Sequence, residues 1–205
     1  MAFPPNQYRA PSGLSAIPPV VKNLLILNVL AFLAQNIPPL DFYLGVYGIM
    51  WPIGTPEEVD AFDFGLVQNP GFHIWQPLTS AFLHGGFGHL FFNLFALWMF
   101  GGVVEQTIGT KRFLWLYGIA LLGSSALQLA FATIQLQTGG GLSASLGASG
   151  GVMGVLAAFA VLYPRQPIYL LFLPVPIQAR WFVLGYVALD LLGGFGAFGS
   201  NIAHF

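Results

Sequence analysis

Five mostly apolar runs recur along this chain, and the gaps between them alternate in charge. The runs extend from about Val20 to Ile37, His84 to Val104, Phe113 to Ile134, Leu142 to Tyr163 and Gln178 to Leu192. About 20 apolar residues cross a bilayer core, and backbone inside that core must satisfy its own polar groups, so each run is expected to be a helix. Pro164 stops the fourth run and Gly193-Gly194 closes the fifth. A sixth apolar stretch starts near Ser200 and reaches only Phe205, so the chain is expected to end inside a last helix that is truncated. With 56% apolar and 6% charged residues, against about a quarter charged in soluble domains, water cannot be the main solvent. The expected fold class is therefore all-α, a polytopic membrane helical bundle forming one domain over residues 20–205. Residues 1–19, rich in proline and polar groups and without the features of a cleaved secretory signal, are expected to be a flexible tail.

The 6 basic residues are Arg9, Lys22, Lys111, Arg112, Arg165 and Arg180. Threading the runs back and forth from an inside N-terminus puts all of them on the inside, as the positive-inside rule requires. The segment from Pro38 to Gln76, which holds Asp41, Glu57, Glu58, Asp60 and Asp63 but no Lys or Arg, then lies outside. The same threading puts the connections from Gln135 to Gly141 and from Phe195 to Gly199 outside. Trp51 and Trp75 are expected to anchor the long outer segment at the membrane surface.

This orientation brings polar residues of separate runs to similar depth. His89 and Asn93 should lie one to two turns below the outer surface, roughly 8 to 14 Å at the helical rise, with Ser149 about 10 Å deep in the fourth run. His204 should lie one turn down in the sixth. A hydroxyl, an imidazole and an amide are what acyl transfer uses: a nucleophile, a proton acceptor and donors toward an oxyanion. Ser149 sits in Gly147-Ala148-Ser149-Gly150-Gly151, with Gly154 beyond it. Gly147/Gly151 and Gly150/Gly154 are spaced by four, the small-residue pattern that lets a neighbouring helix approach closely. His89 and Asn93, also four apart, share one helix face. No residue presents itself as a third member that would orient a histidine, since Asp190 and Glu105 sit near span ends, so a Ser/His dyad is the economical reading.

The segment from His84 to Asn93, the Gly101-Gly102-Val103-Val104-Glu105 after it, the Gly147-Ala148-Ser149-Gly150 of the fourth run and Ala203-His204 resemble the rhomboid family of intramembrane serine proteases. The likeness in order and spacing runs from about Trp75 to the end. It implies a six-helix core, Ser149 as nucleophile, His204 as base, and an oxyanion site of His89, Asn93 and the Ser149 backbone. Because the chain stops at Phe205, the small residues that follow the base in the family are not available for comparison, and a histidine further on is an alternative base. The arginine-containing motif that some members carry in the first loop is not evident.

Competing readings assign these residues to packing. Serines in glycine-rich membrane helices usually serve contacts, and Ser124, Ser125, Ser143 and Ser145 are read that way. His89 and Asn93 could tie helices together, and His84 is read as a loop-fixing hydrogen bonder. A metal held by His84, His89 and His204 lacks a carboxylate or further helical ligand at the same depth, so neither metal nor cofactor is expected. Absence of cysteine excludes thiolate catalysis and disulfides. The expected function is a serine endopeptidase acting on single-span or other transmembrane proteins within the bilayer, with its site opening to the outer face and no nucleic-acid partner. The alternative is a proteolytically inactive rhomboid-like protein that binds membrane clients. A transporter would show paired broken helices or repeats, and Pro174 and Pro176 before the fifth run have no counterpart elsewhere.

Overall fold

The computed structural model describes residues 17–60, 64–68, 70–170 and 173–192. The tail up to residue 16, the connection from Phe195 to Gly199, the sixth run and His204 lie outside the described residues.

Helix α1 spans Pro19–Ala34. Proline suits its first turn, because the ring pre-sets φ and the missing N–H would have had no partner there. No nearby side chain caps α1. Its cap comes instead from Glu105, whose carboxylate accepts the Val20 N–H at 3.1 Å and the Val21 N–H at 2.9 Å. The negative charge and the helix dipole favour one another, which gives this fully buried acid a reason to be there.

The second apolar run becomes one continuous rod: α4 (Phe87–Ala96), a π-helical turn at Leu97–Gly101, and α5 (Gly102–Ile108). It begins three residues later than the sequence suggests, leaving His84 in the preceding loop. Gly109, with φ +85°, turns the chain directly into α6 (Thr110–Gln137). The rod of 22 residues and the 28-residue α6 are each long and apolar enough to cross a membrane. Only 17% of the most apolar stretch of α6 is buried, so most of its apolar surface points outward, as suits lipid. Helices α7 (Ser149–Leu162) and α8 (Ala179–Leu192) complete the helical set with α1. Both α1 and α7 are apolar but shorter than a full crossing.

Between α1 and the rod lie a short helix α2 (Leu40–Tyr43) running into a π-helical turn at Leu44–Gly48, an antiparallel hairpin of β1 (Glu58–Asp60) and β2 (Leu66–Gln68), and α3 (Gln76–Thr79). A second hairpin, β3 (Pro167–Leu170) with β4 (Leu173–Gln178), leads into α8. Two small hairpins thus join a predominantly helical chain that the sequence read as all-α, and Pro174 and Pro176 fall in β4 rather than in a broken helix.

Cross-links between elements show the helices alternating in direction. Glu105 ties the start of α1 to α5, the Tyr163 and Thr107 hydroxyls meet at 2.7 Å, and Arg180 N–H donates to the Pro164 carbonyl at 3.3 Å. These contacts gather the start of α1, the end of α5, the end of α7 and the start of α8 at one end, where Lys22, Lys111, Arg112, Arg165 and Arg180 reside. At the other end Gln35 binds the His84 backbone, and the Ile53 N–H reaches Thr133 near the end of α6. The main core joins Val21, Leu97, Val104, Phe113 and Val155 between helices. A satellite core of Val46, Ile49, Trp51, Val59, Val67 and Leu83 supports the long connection.

Candidate active site

The fourth apolar run does not enter as a helix. Residues from Gly141 to Ala148 are irregular, and α7 begins at Ser149 itself. The expectation of Ser149 about 10 Å inside a helical span is therefore corrected: it occupies the first turn of α7, reached by an irregular strand of chain. Glycine explains the difference. Gly147 has φ +120°, a conformation L side chains rarely adopt, so helix cannot propagate back through it.

Irregular backbone is expensive in apolar surroundings unless each polar group finds a partner. Here Ser145 and Met50 exchange backbone hydrogen bonds at 2.9 Å in both directions, and Gly147 N–H donates to the Ser80 carbonyl at 2.9 Å. The long connection between α1 and the rod therefore holds the approach to Ser149. It is stiffened by Gln76, fully buried, whose side-chain oxygen accepts the Trp51 and His73 N–H groups and whose amide donates to the Gly71 carbonyl at 3.2 Å. Trp51 is correspondingly not a surface anchor: it is 2% exposed and donates its indole N–H to the Val46 carbonyl at 2.7 Å. Trp75 is exposed and stacks on His73 with centroids 4.5 Å apart.

The His89 imidazole lies directly over Gly147. A Cβ at Gly147 would sit 2.6 Å from His89 Cε1 and 2.8 Å from Nε2, so only glycine admits the ring. Both ring nitrogens of His89 are buried and without a partner among the described residues. Asn93, one turn along the same face, is buried and donates from Nδ2 to the His89 carbonyl at 3.0 Å. This bond uses one of its two amide hydrogens. His84 meets His89 edge-on, centroids 5.0 Å apart, and its Nδ1 lies 3.3 Å from the Phe82 carbonyl in its own loop, in keeping with a loop-fixing role. Burial first, and the neighbouring His89 second, push the His84 imidazole down to about 4, against a smaller opposing effect of the Phe82 carbonyl. His84 is therefore neutral at physiological pH.

The four glycines divide into two jobs. A side chain at Gly150 would collide with Ser124, one at Gly154 with Ala120, and one at Gly151 would meet the Tyr117 ring at 2.6 Å. These three press α7 against α6, the third run, whereas the spacing had suggested a partner helix carrying the base. Gly147 precedes the helix and serves the histidine, so Gly147/Gly151 is not a helical pair.

The structure thus brings Ser149, Gly147, His89 and Asn93 to one locality, with His84 beside them. The first N–H groups of α7 lack intrahelical acceptors and the positive end of its dipole is at Ser149. Such an arrangement suits a negative oxygen next to the serine hydroxyl. Gln35, Gln76 and Glu105 escaped the sequence reading as supporting residues. Their one signal was polarity at isolated positions in apolar or interfacial sequence, which says that a partner exists and not which one.

A profile of the Rhomboid domain matches residues 71–205, which includes all of these residues except Gln35. The chain is 36% identical over 116 residues to rhomboid protein 1, mitochondrial, of Saccharomyces cerevisiae, covering 57% of this chain and 33% of that protein. It is 27% identical over 183 residues to presenilin-associated rhomboid-like protein A, mitochondrial, of Danio rerio, covering 89% and 43%. With the rhomboid protease GluP of Bacillus subtilis it shares 38% identity over 84 residues, 41% of this chain and 15% of that protein. The chain spans less than half the length of each of these relatives.

Proposed function

The chain belongs to the rhomboid family, whose members are embedded in membranes, and on that premise we propose that it is an intramembrane serine endopeptidase with Ser149 as nucleophile. The observation that carries the reading is the His89 ring seated on Gly147, two residues before a serine that opens a helix. A serine that merely packed would need neither an irregular approach nor an imidazole whose two nitrogens have no partner among the described residues. The protease named among the relatives, GluP, supports the same activity.

In this reading a transmembrane protein unwinds locally and presents a peptide carbonyl to Ser149. A base takes the hydroxyl proton as the oxygen attacks, giving a tetrahedral oxyanion. The Ser149 N–H, His89 and the second amide hydrogen of Asn93 donate to that oxyanion. The base returns the proton to the leaving amine, and water then releases the acyl group from the serine. The base is His204 by resemblance to the family, or a histidine beyond Phe205. The site opens toward the end opposite the basic residues, which is the outer face if the positive-inside rule governs the protein. The sixth helix of the core belongs to this proposal as the carrier of the base.

The test is cleavage of a single-span substrate by the full-length protein in lipid vesicles, beside Ser149→Ala. Cleavage by the parent and none by the variant is expected. Equal cleavage removes Ser149 from the chemistry, and binding of the substrate with no cleavage by either protein assigns the chain to the client-binding reading.

A further inference from the structure

At the basic end, far from Ser149, the structure contains a half-open cleft of about 250 Å³. It is lined by Met99, Phe100 and Val103 of the rod, Phe159 and Tyr163 of α7, and Gln166 to Tyr169 of the hairpin that leads into α8. We propose that this cleft holds an acyl chain of an anionic phospholipid whose headgroup is gripped by Arg165 and Arg180.

Size and chemistry select the occupant. The walls are built from packed aromatic rings, Phe100 against Phe159 at 4.9 Å and Phe159 against Tyr163 at 5.3 Å. Of the two tyrosines that line it, Tyr163 already has its hydroxyl against Thr107 at 2.7 Å, and Tyr169 is exposed. An apolar cavity of about 150 Å³ stays dry and takes up small hydrocarbons, so this larger cleft offers a place for hydrocarbon and little for a polar ligand. A helix with its side chains is about 10 Å across, and a single alkyl chain, being much narrower, is the occupant this cleft suits.

Charge supplies the second half. Arg165 adjoins the lining residue Gln166, and the Gln166 carbonyl accepts the Ala179 N–H at 2.9 Å while the Pro164 carbonyl accepts the Arg180 N–H. These two bonds set the backbones of Arg165 and Arg180 beside one another at the edge of the cleft. Arg180 donates from Nε to Gln178 at 3.0 Å and lies over the Trp181 ring at 5.2 Å, neither of which neutralises its charge. Among the described residues no carboxylate pairs with either arginine, and both oxygens of the nearby Glu105 are occupied by α1. Exposed Tyr169 and Trp181 mark the same level as a membrane–water boundary, where amphipathic rings settle and where a phosphate would lie.

The test is native mass spectrometry of the full-length protein in neutral detergent with equal amounts of palmitoyl-oleoyl phosphatidylglycerol and phosphatidylcholine. One phosphatidylglycerol should be retained in preference, by about fivefold for each arginine near the headgroup, and Arg165→Gln with Arg180→Gln should bring the ratio close to unity. Met99→Trp fills the cleft without touching either arginine and should release the retained lipid, with Val103→Phe as a second filling variant should the first fail to fold. Equal retention of the two lipids by the parent, or unchanged retention in a folded, filled variant, overturns the proposal. So does displacement of the lipid by a polyleucine single-span peptide, which assigns the cleft to a helix.

Discussion

At the basic end, helix termini are tied together by one buried carboxylate, by backbone bonds between neighbouring segments and by a single pair of hydroxyls, Thr107 with Tyr163. At the serine end, neutral side chains do the tying: Gln35 brackets the His84 backbone, Gln76 gathers a loop around itself, and Thr133 accepts Ile53 N–H. The contrast follows from what each end presents. Regular helix leaves only its first and last few backbone groups to be satisfied, so a single Glu105 suffices for α1. A segment such as Gly141 to Ala148 leaves every residue's N–H and carbonyl seeking a partner, and amides, which donate and accept, meet both needs. The proposed chemistry sits beside this irregular backbone, where the first N–H groups of α7, the His89 imidazole and the Ser149 hydroxyl lie in one locality.

If that division is right, damage to the two ends should separate activity from stability. His89→Ala should lower the cleavage rate by about 10²- to 10³-fold, the usual cost of losing an oxyanion donor, with little change in melting temperature. A variant that melts early but cleaves normally would turn His89 into a structural residue and erase the contrast. Glu105→Ala should do the reverse. It strands the buried Val21 N–H, at roughly 1 to 3 kcal/mol, and the half-buried Val20 N–H, read as a lower thermal or denaturant midpoint in micelles, while the rate per folded molecule stays near the parent's. Loss of activity without loss of stability would contradict it.

Gln76→Ala should affect both properties, costing about 1 to 3 kcal/mol and slowing cleavage, because the loop it gathers leads through Met50 to Ser145. Limited proteolysis between Trp51 and Glu58 is the readout, and an unchanged digestion pattern would show that Gln76 does not hold the loop. The smallest effect is a dependence on pH. His84 is held near 4 in the folded protein against an ordinary 6.5, so the unfolded chain takes up the proton first. Its contribution to stability is complete above pH 6.5 and is lost as pH falls toward 4. His84→Asn should flatten that slope, and an identical slope in the variant would assign it to other groups.

Much of this was legible in the sequence. Helix content and the order of the apolar runs follow from hydrophobic length, and the family resemblance runs through the same His84, His89, Asn93 and Ser149 that the fold assembles. The start of α7 was not legible. Leu142 to Ala148 is as apolar and small as the helix it precedes, and hydropathy cannot register that Gly147 has φ +120° or that Ser145 pairs with Met50. Trp51 was misplaced for a related reason: an aromatic in a loop between spans suits an interface, yet here five other buried residues make a core around it. Long-range partners such as Glu105 with Val20 and Val21 depend on tertiary contact, which local pattern does not encode.

The contact of α7 with α6 also determines which parts of this protein are free to move. At Gly150, Gly151 and Gly154 the helix meets its neighbour with no side chain of its own in between. Rotamer changes elsewhere can absorb a sliding helix, but bare backbone has none to offer, so α6 and α7 behave as one stator. Among the described elements, movement is therefore taken up more readily by the rod, α8 or the long connection than at this contact.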